Sequence, residues 1–147
     1  MVKTFLLADD DIDDATIFCE AVSRLDSVRC LTAENGFQLF ERMAPNSPNK
    51  PDIIFLDINM PQVDGWECLR WLKNQPEIRS IPVIMYSTSS AKKDVEMAYG
   101  LGAQLFVSKP EDFEDLVKIL RAISEDIELQ HPERLSSFSN VRLNTTL

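Results

Sequence analysis

The sequence predicts a doubly wound α/β domain, with five parallel strands in one sheet and helices on both of its faces. Short apolar runs and segments with helical spacing alternate five times along the chain, and the connections between them are short. Regular alternation of this kind implies parallel strands joined by right-handed crossovers. The chain of 147 residues is also long enough to bury one core without disulfides or a structural metal.

The first two strand–helix units follow each other directly. The first strand covers residues 4–8, and a helix starts near residues 11–14, where negative charge favours the N-terminal end of a helix dipole. A second, more polar strand covers residues 28–33, and Pro45 ends the helix that follows it. The apolar stripes of these two helices are Phe18, Ala21, Val22 and Leu25, then Phe37, Leu39, Phe40 and Met43.

The third strand is the most informative stretch of the chain. Its four consecutive apolar residues, 53–56, lie between Pro51 and Pro61, and such a run is typical of a parallel strand buried on both faces. The strand ends at Asp57. An acid at this point lies where open α/β sheets bind ligands, although aspartate also caps turns readily.

The last two units complete the sheet. A third helix carries Trp66, Leu69 and Leu72, and the fourth strand, residues 83–86, runs into the serine cluster 87–90. That cluster is a candidate N-cap for the fourth helix. The fifth strand covers residues 105–107, and the stripe of the final helix is Phe113, Leu116, Leu120, Ile123 and Ile127. Residues 1–130 thus form the predicted domain, with no further domain expected after it.

The C-terminal segment, residues 131–147, is polar and has only a weak apolar pattern. Its apolar members are Leu135, Phe138, Val141 and Leu143. We predict a mobile tail, or a short arm that becomes ordered only on contact with a partner.

Composition narrows the classes of partner. The net charge is −9, and residues 9–14 hold five acids in six positions, which argues against nucleic acid and against an anionic membrane surface. A divalent cation or a basic protein partner suits this charge better. Cys19, Cys30 and Cys68 are far apart and odd in number, so we expect buried small side chains rather than a disulfide framework or a zinc site. No stretch has the length of a signal or membrane-spanning segment, and the predicted location is cytoplasmic.

Four of the five predicted strands end in a reactive side chain, and parallel strands bring these ends to one edge of the sheet. The residues are Asp9 and Asp10 after the first strand, Asp57, Ser87 and Lys109. Three carboxylates at one edge repel each other, and Mg²⁺ relieves this because it prefers oxygen ligands and keeps waters for an incoming phosphate. One acid can then act as a nucleophile toward phosphorus, with Lys109 as the cation and Ser87 as a hydroxyl donor. The plainer roles are a salt bridge for Lys109 and a helix cap for Ser87.

These motifs resemble a response-regulator receiver domain of two-component signalling, of the stand-alone type associated with chemotaxis and phytochromes. The resemblance covers residues 2–128 and rests on an ordered set of segments. They are Leu6-Leu7-Ala8-Asp9-Asp10, Phe55-Leu56-Asp57-Ile58-Asn59-Met60-Pro61 with Asp64-Gly65, Pro82-Val83-Ile84-Met85-Tyr86-Ser87, and Phe106-Val107-Ser108-Lys109-Pro110.

The resemblance implies a flavodoxin-like fold with strand order 2-1-3-4-5. It implies that Asp57 accepts a phosphoryl group from a phosphohistidine of a sensor histidine kinase, and that the protein catalyses only its own phosphorylation and dephosphorylation. The implied Mg²⁺ ligands are Asp10, Asp57 and the Asn59 backbone carbonyl, with Asp9 acting through water. Ser87 and Lys109 would bind the phosphoryl oxygens, Phe106 would be the switch aromatic that turns inward, and the Lys109–Pro110 bond is a candidate cis peptide.

Other interpretations fit the same residues less well. The acid pair could slide by one to Asp10 and Asp11. Asp9-Asp10-Asp11 contains the D-x-D of haloacid-dehalogenase-type phosphatases, but acids follow it here and the chain is too short for a cap domain. The calcium-loop spacing of Asp9, Asp11, Asp13 and Glu20 lacks its glycine and an entering helix. A receiver fold used only for protein contacts stays open.

The expected output is docking rather than a built-in effector activity. A stand-alone receiver passes its phosphoryl group to a phosphotransfer protein or binds an effector when phosphorylated. The predicted docking face is formed by the fourth helix, fifth strand and fifth helix, with Phe106, Tyr99 and the tail from His131 as contributors. A second copy of the chain is a further candidate partner for this face.

Overall fold

The computed structural model describes residues 1–144, and within them five α-helices, one 3-10 helix and six strands. The strands are β1 (Lys3–Ala8), β2 (Val28–Ala33), β3 (Ile53–Leu56), β4 (Val83–Ser87), β5 (Leu105–Ser108) and β6 (Val141–Arg142). The helices are α1 (Ile12–Ser23), α2 (Gly36–Arg42), α3 (Gly65–Lys73), α4 (Lys92–Gly100), α5 (Phe113–Ser124) and the 3-10 helix Pro132–Leu135. None of the helices in this part of the chain has the length and apolar character needed to cross a bilayer.

The sheet has the order β2-β1-β3-β4-β5-β6. The first five strands are parallel, and β6 pairs with β5 in the antiparallel sense. The doubly wound, flavodoxin-like prediction and its strand order are therefore confirmed. The predicted number of strands was wrong by one, because β6 extends the sheet beyond β5.

Strand β3 shows how the sequence produces a sheet covered on both faces. All four of its side chains are fully buried, and successive side chains point to opposite faces of a strand. Ile53 and Phe55 accordingly join one apolar cluster, with α1 and α5, and Ile54 and Leu56 join the other, with α2, α3 and α4. A strand that is apolar at every position fits this central place.

The register between neighbouring strands fixes where the acids meet. Ala8 of β1 pairs with Leu56 of β3, so Asp9 and Asp57 both leave the sheet at the same level. The Asp57 N–H donates to the Ala8 carbonyl at 3.0 Å, which continues the ladder to the point where the chain turns out of the core. The two acids are therefore neighbours at the carboxyl edge of the sheet.

The described part of the C-terminal segment, residues 131–144, packs against the rest of the domain, and its mobility in solution stays a prediction. Leu135 and Val141 are buried in the α1/α5 cluster, and Phe138 and Leu143 pack against it. β6 covers the edge of β5, where Val107 pairs with Val141. The four apolar residues of the weak pattern are thus the ones that dock. Residues 145–147 of the predicted tail lie outside the described chain.

Candidate functional site

The carboxyl ends of four parallel strands form the candidate site. Asp9 follows β1, Asp57 follows β3, Ser87 ends β4 and Lys109 follows β5. Asp57 is only 6% exposed, Asp9 and Ser87 are also buried, and Asp10 is exposed. The site lies where the strand order reverses between β1 and β3, which is where open α/β sheets form ligand-binding crevices.

Lys109 lies close to three carboxylates of the site. Its Nζ lies 2.8 Å from Asp9 Oδ2, 2.8 Å from Asp14 Oδ2 and 3.9 Å from Asp57 Oδ2. The Lys109 N–H donates to the Ser87 carbonyl at 2.7 Å, which ties the β5 end to the β4 end. The lysine therefore bonds directly to Asp9 and Asp14, while Asp57 lies just beyond hydrogen-bonding distance.

Burial makes Asp57 an unusual carboxyl group. Burial raises its pKa to about 7, the neighbouring Asp9 carboxylate adds to the rise, and Lys109 and the Asn59 backbone amide oppose it. Burial alone would lower the pKa of Lys109, but its hydrogen bonds to Asp14 and Asp9 and the charge of Asp57 raise it overall. Lys109 thus stays charged, whereas Asp57 gains or loses its proton near neutral pH.

Asp9, Asp10 and Asp57 have the donor set of a hard divalent cation. One carboxylate oxygen from each of these residues lies within 4.8 Å of the others. Lys109 is the cation that contacts Asp9, and it is shared with Asp14, so negative charge at the cluster exceeds positive charge. Carboxylate oxygens at this spacing fit Mg²⁺ or a similar ion. The residues present therefore fit the predicted metal site.

Ser87 is placed for hydrogen bonding at the site rather than for capping α4. Its Oγ is fully buried and accepts from the Ser89 N–H at 3.1 Å. The N-cap of α4 is Ala91, and no side chain caps that helix, so the serine cluster does not have the predicted capping role. The Ser87 hydroxyl hydrogen remains available to a ligand at the end of β4.

The comparisons with known proteins agree with this arrangement. The family model of the response regulator receiver domain matches residues 5–121. Response regulator Rcp1 of Synechocystis sp. is 32% identical over 127 residues, which cover 82% of this chain and 86% of Rcp1. Protein PilG of Pseudomonas aeruginosa is 35% identical over 114 residues, or 76% of this chain and 82% of PilG. The chain belongs to the response-regulator receiver family of two-component signalling.

Solved structures of receivers have the same fold. A phosphorylated cyanobacterial phytochrome response regulator, RcpA, matches with a TM-score of 0.76 at 28% identity, over 85% of this chain and 93% of RcpA. The Mn²⁺-bound form of Rcp1 matches with a TM-score of 0.71 at 26% identity, over 97% of this chain and 99% of Rcp1. The alignment with Rcp1 thus extends beyond residues 5–121, which the family model matches.

Phe106 and the Lys109–Pro110 bond are the remaining predicted parts of the receiver site. Phe106, the predicted switch aromatic, is fully buried on the face of the sheet that packs against α3 and α4, so it already points inward. The predicted cis bond at Lys109–Pro110 is wrong, because no peptide bond of the described chain is cis. Trans is the ordinary state of an X–Pro bond, and Lys109 reaches Asp9 and Asp14 in that state.

Asp14 is the site residue that sequence reasoning missed. It lies in the first turn of α1 and accepts a hydrogen bond from Lys109 Nζ at 2.8 Å. A signal for it was present, because Asp14 is four residues before Phe18 and begins the stripe that faces the sheet. An acid at the start of an otherwise apolar stripe indicates a buried or half-buried partner.

Proposed function

We propose that this receiver accepts a phosphoryl group on Asp57 from a phosphohistidine of a sensor histidine kinase or a phosphotransfer protein, with Mg²⁺ bound. The observation that carries the proposal is the place of Asp57. Its buried carboxylate belongs to the cluster with Asp9 and Asp10, and the Nζ of the cation Lys109 is 3.9 Å away. A nucleophile, a cation and a metal-ligand set within one crevice are what phosphoryl transfer to a carboxylate needs.

The proposed metal ligands are Asp10, Asp57 and the backbone carbonyl of Asn59, with Asp9 acting through water. A bound Mg²⁺ would neutralise part of the negative charge that the phosphoryl group brings into the crevice. The exposed Asp10 gives access from solvent, and the buried Asp9 is already held by Lys109. This difference supports direct binding of the metal by Asp10 and binding through water by Asp9.

The chemistry assigned to the chain is a single displacement. An Asp57 carboxylate oxygen forms a bond to phosphorus, the bond from phosphorus to the donor imidazole breaks, and the imidazole leaves with the electron pair. Asp57 must be ionised to attack. Burial raises its pKa to about 7 in the metal-free chain, and a bound cation would favour the ionised form. Lys109 and the hydroxyl of Ser87 then donate to the oxygens of the new aspartyl phosphate.

Signalling would follow from docking rather than from catalysis on a separate substrate. The likeness to the cyanobacterial phytochrome response regulator RcpA favours a phytochrome-type sensor kinase as the phosphoryl donor. The proposed output face is formed by α4, β5 and α5. β6 covers the edge of β5 in this face, so an effector or a second copy of the chain would meet the helix surfaces and β6 rather than a bare strand.

Intact-mass measurement after incubation with acetyl phosphate tests the proposal. Wild type should gain one phosphoryl group in Mg²⁺ and none in EDTA, and Asp57→Asn should gain none. Asp13→Asn is the matched control, because Asp13 is an exposed acid in α1, and it should behave as wild type. Beryllofluoride, a stable phosphoryl mimic, should bind wild type even if the aspartyl phosphate hydrolyses rapidly.

Three results would contradict all or part of this proposal. No adduct with acetyl phosphate and no binding of beryllofluoride would leave the contact-only interpretation. An adduct that forms equally in Asp57→Asn would mean that another residue is the acceptor. An adduct that forms equally in EDTA would remove the metal from the proposal while keeping Asp57 as the nucleophile.

A further inference from the structure

Two of the three cysteines lie in direct contact between α1 and β2, in a place that phosphoryl transfer does not use. Cys19 is on α1 and Cys30 is on β2, and their Sγ atoms are 2.7 Å apart. Both are free and half-buried. The third, Cys68, is fully buried on α3 in the other apolar cluster. The sequence predicted three separate buried thiols, and the fold instead pairs two of them.

The two thiols are close enough to form a bond with little change in the fold. A disulfide has its sulfur atoms about 2.05 Å apart, so closing the present gap needs a movement of about 0.7 Å. The helix and the strand that carry the pair already pack against each other. The ordered contact between the two sulfur atoms means that the entropy of bringing them together is already lost in folding.

The two cysteines differ in their access to a surface groove. A surface groove of about 480 Å³ runs between α1 and β2, and its lining residues include Asp9, Ile12, Cys19, Glu20 and Thr32 but not Cys30. A reagent in the groove therefore reaches the Cys19 sulfur first. Burial and the adjacent Cys19 thiol raise the pKa of Cys30, which favours its neutral thiol and makes it the poorer first nucleophile.

We propose that Cys19 and Cys30 form a thiol–disulfide exchange site, at which a small-molecule disulfide of positive charge converts the pair to an intramolecular disulfide. The Cys19 thiolate attacks one sulfur of the reagent, whose S–S bond breaks and releases one thiolate that takes up a proton. Cys30, after losing its proton to solvent, attacks the Cys19 sulfur and expels the second thiol. Two protein thiols are oxidised, and one reagent disulfide is reduced to two thiols.

The preference for positive charge comes from the groove itself. Its charged lining residues are the acids Asp9, Glu20 and Glu34, and no lysine or arginine is among them. These negative charges repel an anionic reagent such as oxidised glutathione and attract a cationic one such as cystamine. At low ionic strength this difference should change the reaction rate by about tenfold, and salt should reduce it.

Alkylation after oxidation tests the site in the wild-type chain. The protein is incubated with cystamine, denatured in the presence of N-ethylmaleimide, and weighed intact. We expect the chain to lose two hydrogens and to gain one maleimide, on Cys68. Three maleimides per chain, a cysteamine adduct that persists on the wild type, or a disulfide-linked dimer would each overturn the proposal.

Single variants test the order of the two attacks and locate the thiols. Cys30→Ser should keep one cysteamine on Cys19, because no second thiol can expel it, and Cys19→Ser should leave Cys30 largely unmodified. Cys68→Ser is the matched control and should form the disulfide at the wild-type rate. Oxidised glutathione should react about tenfold more slowly than cystamine with wild type at low salt. Equal rates for the two reagents would overturn the assigned charge preference.

Discussion

Lys109 is shared among three carboxylates, and the distances show which of them it favours. Its Nζ is 2.8 Å from Asp9 and from Asp14, but 3.9 Å from Asp57. The nucleophile is therefore the least neutralised of the three, and burial adds to the cost of its charge. A phosphoryl group on Asp57 would bring new anionic oxygens within reach and would draw the lysine toward them.

The first prediction concerns the pH dependence of stability. The pKa of Asp57 is about 7 in the folded chain and 3.8 for the ordinary group, so the folded state binds more protons between these values. The Asp57 contribution to the free energy of unfolding therefore falls as the pH rises from about 4 to 7. Above pH 7 the buried carboxylate is charged, and its contribution stays at this lowest value. In EDTA, Asp57→Asn should raise the free energy of unfolding at pH 8 by up to about 4 kcal/mol and have a much smaller effect at pH 4.5.

Urea denaturation at pH 4.5, 6 and 8 measures this difference. Asp13→Asn replaces an exposed acid in the first turn of α1 and should change stability equally at the three pH values. Mg²⁺ should reduce the gap between wild type and Asp57→Asn, because a bound cation relieves the same repulsion. A gain that is constant with pH would show that the charge of Asp57 is not its source.

The second prediction concerns Asp14. Removing its charge leaves Lys109 bonded to Asp9 alone and lets Nζ move toward Asp57. Asp14→Asn should lower the pKa of Asp57 and speed phosphorylation by acetyl phosphate at pH 6.5 by roughly threefold to tenfold, since a charged hydrogen bond is worth about 1–2 kcal/mol. The pH profile of the rate should shift to lower pH. Slower phosphorylation at every pH would instead mean that Asp14 holds Lys109 in its productive place.

At the scale of elements, the loop after β3 depends on how closely α3 approaches it. Gly65 is the first residue of α3, and its N–H donates to the Ile58 carbonyl at 2.8 Å. A Cβ on Gly65 would lie 2.2 Å from the Asp57 carbonyl oxygen and 2.7 Å from the Ile58 Cα. Both atoms belong to the backbone, so a larger residue must displace the loop that carries the nucleophile.

The third prediction follows from this contact. Gly65→Ala should lower the free energy of unfolding by about 1–3 kcal/mol and slow phosphorylation of Asp57. Gly100→Ala is the matched control, because Gly100 lies in α4 and its added Cβ would meet no atom within 4 Å. That variant should keep its phosphorylation rate and gain up to about 1 kcal/mol of stability. Chemical denaturation and the acetyl phosphate assay measure the two effects, and equal behaviour of both variants would contradict the argument.

The elements differ in how far sequence could predict them. β3 could be predicted because every residue from Ile53 to Leu56 is apolar, and a strand buried on both faces has this pattern whatever its partners. β6 could not, because it is two residues long and exists only through its pairing with β5. Burial of Val141 depends on a strand edge more than thirty residues away in sequence, and local patterning carries no record of that edge.

The fourth prediction tests the packed C-terminal arm. Leu135 is 4% exposed within the α1/α5 cluster, so Leu135→Ala should lower the free energy of unfolding by about 2–4 kcal/mol. Ser137→Ala, two residues later at an exposed position, should have an effect within about 0.5 kcal/mol. Urea denaturation distinguishes the two. A negligible effect of Leu135→Ala would mean that the arm is mobile in solution.

Across the whole molecule, the site was predictable because the topology brings strand ends together. Asp9, Asp57, Ser87 and Lys109 each end a strand, and parallel order alone places them at one edge. The pairing of Lys109 with Asp14 and of Cys19 with Cys30 could not be predicted in this way. Both pairs join α1 to a strand, and they depend on how that helix is rotated on the sheet.

The last prediction concerns docking of the phosphoryl donor. Ile17 on α1 is 45% exposed and lines a small pocket with Asp14, Lys109 and Pro110, so it is an apolar contact point beside the lysine of the site. A protein donor must cover this surface to bring its phosphohistidine to Asp57, whereas acetyl phosphate need not. Burying one aliphatic side chain contributes about 1.5–3 kcal/mol. Ile17→Ser should therefore lower kcat/KM for a phosphorylated histidine-phosphotransfer protein by roughly tenfold or more, and leave the rate with acetyl phosphate unchanged.

Phe37→Ser provides the matched control, because Phe37 is 52% exposed on α2 and does not line the pocket that contains Ile17 and Lys109. It should keep the wild-type rate with both donors. If Ile17→Ser slows phosphorylation equally with both donors, the substitution has damaged the site. If both variants slow phosphorylation by the protein donor equally, the cause is a nonspecific effect of surface polarity. Only a loss confined to Ile17→Ser and to the protein donor places the docking surface on α1, beside Lys109.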